Sequence, residues 1–397
     1  MKIGISTTLV QRGRSEVGHY LLPLLAALFR HVPEHQYVLF VLEEDLPVFG
    51  FARDHARLVV VGRTHRRGAE DLSWHHLRLP ALAQAHRLDL LHVPTERRMV
   101  WRRSCPLVTT VHHMGPFRRP RAAETRGSCP GAVFRALARR QDGLLVGSQA
   151  AATELAQLTG LPAGRVTVAA PGVDVSRLGA VPRDRAAAEL IRRHGIHPPF
   201  FLVVGCVEDP AQAHLPLIRA FDSFKTVVPS PWQLVFIAGG ADCAQRVRLL
   251  TRQSPYAADV HCVQEVSADE LPLWYRAAGG LIHAPAEWGL ASCVTEALGA
   301  GCPALVTDVA PARERFGEAA LYAPHHDSAA LQDRLRELAT DVASWSRLHV
   351  AAKARALTCD WKSSAEATAE GYLRSAARTR VTRPVPDTWT NVAQPRV

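Results

Sequence analysis

The sequence predicts an α/β protein made of two doubly wound domains that face each other across a cleft. Three observations predict it. Short apolar runs rich in Val, Ile and Leu alternate with longer helical patterns, as in βαβ units with parallel sheets. The alternation is interrupted once, near 171–199, and then resumes. The chain has 397 residues, beyond the roughly 250–300 at which a single hydrophobic core stops growing.

Strands are predicted at 2–6, 37–42, 57–61, 88–93, 107–111, 143–147 and 166–169. Beyond the interruption they are predicted at 200–205, 233–238, 259–263, 279–283 and 303–307. Several are apolar without alternation, as strands covered on both faces should be. Helices are predicted between them, among others at 18–31, 148–159, 184–194, 214–227, 268–277, 292–300 and 328–339. Pro171-Gly172-Val173-Asp174 ends the first series, and a charged helix and His197-Pro198-Pro199 lead into the second. The expected organisation is therefore a first domain over 1–178 and a second over 179–360. A last helix over 361–377 is expected to pack back on the first domain, before a loose tail over 378–397. Ligands of doubly wound sheets bind at the carboxyl ends of the strands, so the expected site is the cleft.

Composition narrows the function classes. The chain is 47% hydrophobic and 21% charged, ordinary for a globular protein and unlike a disordered chain, a collagen-like repeat or a coiled-coil rod. No run approaches the roughly 18 apolar residues of a membrane-spanning helix. The segment Met1-Lys2-Ile3-Gly4-Ile5-Ser6 leads directly into a strand pattern without signal-peptide features, so a cytoplasmic location is expected. The closest two of the eight cysteines, Cys293 and Cys302, are nine apart. That spacing gives no zinc-ligand pattern, and free thiols in a reducing compartment are expected. Net charge is +10, and between Arg97 and Arg140 stand eleven arginines and a single acid, Glu124. This segment reads either as a solvated basic face or as a surface for anionic lipid headgroups or an acidic acceptor. No helix-turn-helix, finger or RNP-like pattern accompanies it, so nucleic acid is not expected.

The second half carries an ordered series: Phe201-Leu202-Val203-Val204-Gly205, Leu217-Ile218-Arg219-Ala220-Phe221 and Gln233 to Gly239. After these come Val266 to Leu271 with Trp274-Tyr275-Arg276-Ala277-Ala278, and Glu296-Ala297-Leu298-Gly299-Ala300-Gly301-Cys302-Pro303. The first half adds Gly18-His19-Tyr20-Leu21-Leu22, Val108-Thr109-Thr110-Val111-His112-His113, Gly147-Ser148 and Pro171-Gly172-Val173-Asp174. Taken in order over about 2–377, the series resembles the GT4 family, retaining glycosyltransferases of GT-B fold. The resemblance implies a nucleotide-sugar donor on the second domain and an acceptor on the first. The acceptor would be a glycan, a lipid-linked glycan or a metabolite. It also implies no cofactor and no catalytic metal. An anionic membrane surface is a further expected partner through Arg97–Arg140.

Sugar transfer with retention requires that charge on the leaving diphosphate be neutralised and the sugar be oriented. By resemblance, Glu296 is the second Glu of the family's E-x7-E motif and hydrogen-bonds the ribose hydroxyls. The alternative is an acid near a helix start, favoured by the macrodipole. The first Glu falls at position 288, which is Trp288, with Glu287 one residue ahead. Either a bulge returns Glu287 to the donor sugar or the position is lost. Where the family places an Arg and a Lys after the Gly205 strand, this chain has Glu208-Asp209-Pro210-Ala211-Gln212-Ala213-His214. Each missing cation removes charge-assisted hydrogen bonds of roughly 1.5–3 kcal/mol. His214 is the candidate replacement donor. Arg12 and Arg14 either reach across the cleft or are exposed loop arginines.

The family's Gly-x-Gly becomes Glu16-Val17-Gly18. Gly18 keeps the freedom for close approach to a phosphate, and an acid at 16 is expected to repel it. His112 is the family's strand-end histidine, which contacts the donor sugar, while His113 stands where the family usually has Asp. These departures leave a second reading open, a GT-B homologue that has lost catalysis and serves as a binding or scaffolding subunit.

Overall fold

The computed structural model describes residues 1–66, 68–118, 131–205, 210–238, 241–264, 266–285 and 288–382. Two parallel sheets organise them. The first holds β1 (Lys2–Ser6), β2 (Gln36–Leu42), β3 (Ala56–Gly62), β4 (Leu90–Val93), β5 (Leu107–Thr110), β6 (Gly143–Val146) and β7 (Val166–Val168). Its order is β3-β2-β1-β4-β5-β6-β7. The second holds β8 (Phe200–Val204), β9 (Gln233–Ala238), β10 (Val260–Gln264), β11 (Gly280–His283), β12 (Ala304–Thr307) and β13 (Ala320–Ala323), in the order β10-β9-β8-β11-β12-β13. Every pairing is parallel. The strand order reverses between β1 and β4 and again between β8 and β11. These are the switch points at which such sheets open a crevice.

Burial explains the apolar runs. β4, β5 and β6 are buried along their whole length, as is all of β2 beyond Gln36. Covered on both faces, these strands have no polar side to alternate with. The sequence pattern did not indicate β13, an Ala-Leu-Tyr-Ala edge strand of four residues.

The last helix, Trp361–Thr382, packs on the helix Glu16–His31 and over β5, β6 and β7. Tyr372 Oη lies 2.8 Å from His92 Nδ1, and His92 Nε2 lies 2.8 Å from Thr110 Oγ1. Burial pushes His92 down to about 3, so this core imidazole is neutral. The chain thus crosses between the sheets twice, and the two crossings touch. Val173 N donates to Cys359 O at 2.9 Å. At Gly172 an added Cβ would lie 2.3 Å from Trp361 N and 2.5 Å from Asp360 C. Backbone meets backbone there, and no side chain fits.

Three further contacts hold the domains against each other. Glu314 accepts from Gln149 N and Ala150 N, both at 2.7 Å. It thereby satisfies two N–H groups at the start of the helix Gln149–Thr159, where a carboxylate also meets the positive end of the helix dipole. Buried Arg315 donates Nη1 to Leu290 O and Nη2 to Pro171 O, the latter at 3.0 Å. The Leu290 side chain belongs to the first domain's core with Tyr20, Leu24 and Tyr372.

Replacing Gly172 with Ala should force the two crossings apart. Overpacking of this kind costs about 1–3 kcal/mol. The expected result is a lower midpoint in guanidinium titration, with both sheets still formed by circular dichroism. An unchanged midpoint would refute the close approach.

Candidate active site

The loop after β1 sets the first wall. Ser15 Oγ donates to Leu9 O at 2.6 Å and accepts from Gly18 N at 2.9 Å, capping the helix Glu16–His31. Gly18 is needed by the loop itself. A Cβ there would lie 2.7 Å from Val10 O and 3.0 Å from Gly13 Cα. Arg12 pairs with Glu44 of its own domain, Nη2 to Oε2 at 3.7 Å, and Arg14 is exposed.

His112 lies just beyond β5, buried. Its backbone N donates to Glu96 Oε2 at 2.9 Å, and its Nε2 lies 2.6 Å from Pro94 O. A carbonyl only accepts, so Nε2 carries the proton. Nδ1 has no partner. Tyr20 meets the ring edge-on at 5.2 Å.

His113 and Glu16 form an ion pair, Nε2 to Oε2 at 2.8 Å, from positions 97 apart in sequence. Burial works against the Glu16 charge, but the His113 hydrogen bond and charge, with His112 and Arg97, outweigh it and hold the carboxyl at about 2. Burial likewise opposes the charge on His113, and Glu16 overrides it, raising the imidazole to about 9. The acid expected to repel a phosphate is therefore neutralised in place. Gly289 of the second domain abuts the pair. A Cβ on it would lie 2.5 Å from His113 Cε1 and 2.9 Å from Glu16 Oε1.

The facing wall comes from the carboxyl ends of β8 and β11. Gly205 ends β8 with φ +91°, a conformation that glycine alone adopts readily. His283 ends β11, and its Nδ1 lies 3.5 Å from Cys293 Sγ. Burial pushes His283 down to about 4; His113 and His214 add to that, and Glu16 opposes it. Burial also lifts the Cys293 thiol to about 12, helped by the Glu296 and Glu16 charges. A thiol held so high is no nucleophile. His214, buried against Phe236 with ring centroids 5.1 Å apart, is pushed down to about 4 by burial. Its Nε2 has no partner.

Glu296 sits on the helix Ser292–Gly299, and its Oε2 accepts from Tyr275 Oη at 2.9 Å. Burial raises its pKa, while His19 of the first domain, the Tyr275 hydroxyl and Arg177 lower it. The helix begins at Ala291 in left-handed backbone with no side-chain cap, so its first N–H groups are unsatisfied from within. Trp288 does not reproduce a carboxylate. Its ring packs edge-on against His283 at 5.4 Å and Phe316 at 6.1 Å. Glu287 lies outside the described residues, as do 206–209, and no side chain is described at 210–213. Among the described residues no group of three or more His, Cys, Asp or Glu is arranged to hold a metal.

Two family models match this chain: Glycosyltransferase Family 4 over residues 18–177 and Glycosyl transferases group 1 over 198–341. Between them they take in most of both domains. Both halves of the chain thus match glycosyltransferase models, and together they support a glycosyltransferase of GT-B fold. A D-inositol 3-phosphate glycosyltransferase of Streptomyces bingchenggensis is 27% identical over 365 residues, 88% of this chain and 76% of the relative. One from Streptomyces avermitilis is 28% identical over 374 residues, 89% and 76% of the two chains. Among solved structures, a sucrose-phosphate synthase of Thermosynechococcus elongatus matches with TM-score 0.75 at 16% identity, covering 95% of this chain and 100% of the other. Anabaena HepE, solved with UDP and glucose, matches with TM-score 0.70 at 18% identity, covering 93% and 98%. The two sheets are those of the GT-B fold.

Against the family pattern, two of this chain's departures meet each other. Glu16 stands for a glycine and His113 for an aspartate, and together they make the ion pair. Sequence reasoning read them separately. It also missed Tyr275, His19, His283 and Cys293, whose contacts run between different elements. Tyr275 stood inside a quoted motif, but nothing in its own helix pointed to Glu296. In the Arg97–Arg140 segment, the described arginines are largely engaged within the fold. Arg98 pairs with Asp71, Arg103 with Asp142 and Arg118 with Glu154, and Arg140 covers Trp101 at 4.4 Å. Residues 119–130 lie outside the description. No described helix is long and apolar enough to cross a membrane.

The ion pair has a definite pH window. The His113 contribution is complete below its ordinary 6.5 and is lost as pH rises through 9. The Glu16 contribution is complete above its ordinary 4.5 and is lost as pH falls through 2. NMR titration of the imidazole should place His113 near 9, and Glu16→Gln should move it back toward 6.5. A His113 that titrates near 6.5 in the unaltered protein would show that the pair does not form.

Proposed function

We propose that the protein transfers a sugar from a nucleotide-diphosphate donor to a hydroxyl acceptor with retention at the anomeric carbon and without a metal. The observation that carries the proposal is the Glu296 carboxylate, fixed by Tyr275 on a helix that opens into the cleft opposite His112. In this reading Glu296 accepts from the ribose hydroxyls, as the family motif implies. Held at one oxygen by Tyr275, it keeps lone pairs for a diol. Raised by burial, it recovers charge stabilisation when two hydroxyl donors arrive.

His112 supports the sugar side of the site. Its Nε2–H is committed to Pro94 O, which leaves Nδ1 for a sugar hydroxyl. The diphosphate is met by neutral donors rather than by the family's Arg and Lys. These are the uncapped N–H groups at the start of the 292–299 helix and, in the tautomer that protonates it, His214 Nε2. Such donors aimed at developing charge stabilise it without reorganising. Neutral donors hold a leaving diphosphate more weakly than cations do, so slow turnover is expected. The Streptomyces relatives bear the name of an inositol 3-phosphate reaction, so a phosphorylated polyol is the first acceptor to try.

The test is a thermal-shift titration with UDP-, GDP-, ADP- and TDP-sugars. Ligand at a hundredfold its Kd stabilises by about 2.7 kcal/mol, so one nucleotide should raise Tm clearly. Glu296→Gln should lower donor affinity roughly tenfold to a hundredfold, the value of charge-assisted bonds lost, with little change in the ligand-free Tm. Product NMR then reads the anomeric configuration. A well-folded sample that no nucleotide-sugar stabilises would overturn the reading.

A further inference from the structure

The second domain has another concavity, at the opposite edge of its sheet from the cleft. It is lined by the residues that precede β11 and β12, Ala278 and Ala300-Gly301-Cys302, together with Arg183, Arg276, Trp345, His349 and Lys353. Donor sites of doubly wound sheets lie at the carboxyl ends of the strands. This cavity lies at their amino ends and is not part of that site. Its volume is about 250 Å³, below the range of roughly 300–1,000 Å³ for larger organic ligands.

Its charge is one-sided. Arg183, Arg276 and Lys353 converge on it, no acid is in the lining, and among the described residues none of the three is ion-paired. Each arginine is held in place by the protein. Arg276 donates Nε to Val181 O and Nη1 to Ala300 O, both at 2.8 Å. That uses two of its five N–H groups. Arg183 donates Nη2 to Ala278 O at 3.2 Å and lies over the Trp345 ring at 4.9 Å. Trp345 is fixed by its own bond to Gly279 O at 2.7 Å and carries His349 stacked on it, centroids 5.2 Å apart. Burial and the charges of Lys353, Arg276 and Arg183 all push His349 down, against its bond to Gly301 O. All three cations therefore act on one ring.

Gly301 makes the convergence possible. It has φ +73°, and a Cβ there would lie 2.7 Å from His349 Cε1 and 2.8 Å from Lys353 Cε. Three like charges gathered in one concavity are mutually unfavourable unless an anion joins them. Arginine N–H groups already oriented by carbonyls bind such an anion with little further ordering.

We infer that this cavity is a second binding site of the protein, for the phosphate group of inorganic phosphate or of a small phosphate monoester. The inference does not depend on the reaction proposed for the cleft. The test is calorimetric titration of the full chain at constant ionic strength with inorganic phosphate, glucose 6-phosphate and glucose, with chloride as the control anion. Phosphate should bind saturably and glucose should not. Lys353→Glu and Arg183→Ala, both changes at exposed side chains, should each weaken phosphate at least tenfold. His214→Ala, which removes a donor assigned to the diphosphate in the cleft, should leave that binding unchanged, which separates this site from the donor diphosphate site. An ester that binds more tightly than the free ion identifies the ester as the ligand, and the reverse order identifies free phosphate. Absence of saturable binding, or binding indifferent to both Lys353→Glu and Arg183→Ala in folded protein, would overturn the inference.

Discussion

The structure depends on one buried guanidinium. Arg315 reaches the carbonyl of Leu290 in the loop that leads to Glu296, and the carbonyl of Pro171, where the chain leaves the first domain. Burial pushes it down to about 10, still cationic at neutral pH. A buried charge is tolerated only when hydrogen-bonded, so neither carbonyl can leave without stranding it. Its backbone O and that of Glu314 accept from Arg355 at 2.6 and 2.9 Å, and the Glu314 carboxylate caps a helix of the other domain. Two successive residues thus tie together the linker, the donor-side loop and the first domain. The position of Glu296 is set by both domains.

The electrostatics of the cleft follow from that closure. Bringing Gly289 up to Glu16 and His113 leaves no room for a side chain on the second domain's side. Three of the cleft's imidazoles are of two kinds. His113, paired with Glu16, stays charged, whereas His214 and His283, with no acid bonded to them, stay neutral. Burial acts against the charged form in all three, and only a partnered carboxylate reverses it. The cleft therefore offers N–H groups suited to hydroxyls and phosphate oxygens, together with the Glu296 carboxylate.

The sheets were legible because their strands are buried on both faces and carry continuous apolar runs. Lys2–Ser6 and Gln233–Ala238 match their predicted bounds, and Gln36–Leu42 differs by one residue. Ala320–Ala323 was not legible, since four residues with two alanines carry too little apolar signal to separate from a turn. The C-terminal helix was placed from Trp361 but continues to Thr382. In the site, Glu296 and His112 could be named as candidates because motif position is local in sequence. Their partners could not. Tyr275 reaches Glu296 across 21 residues, and Glu16 reaches His113 across 97. A charge read alone at position 16 looks repulsive, and only the fold shows its counter-charge. Of the two readings open for Arg12, the structure shows the exposed loop arginine, with Glu44 of its own domain 3.7 Å away.

The segment 288–301 links the two domains and the basic cavity. Trp288 packs inward against His283 and Phe316, while Leu290 inserts into the first domain's core. Glu296 is held by Tyr275, and Ala300 O by Arg276, the residue after Tyr275 on the same helix. One helix, Leu271–Ala277, therefore grips the 292–299 helix at both ends, through its donor-side carboxylate and through its last turn at the basic cavity. Parting the domains must withdraw Leu290 from its core, at a cost of about 1.5–3 kcal/mol for a buried leucine, and uncap the helix that Glu314 satisfies. The loop that occupies the place of the family's first glutamate is thus held by apolar contact on both sides, Trp288 within the second domain and Leu290 within the first.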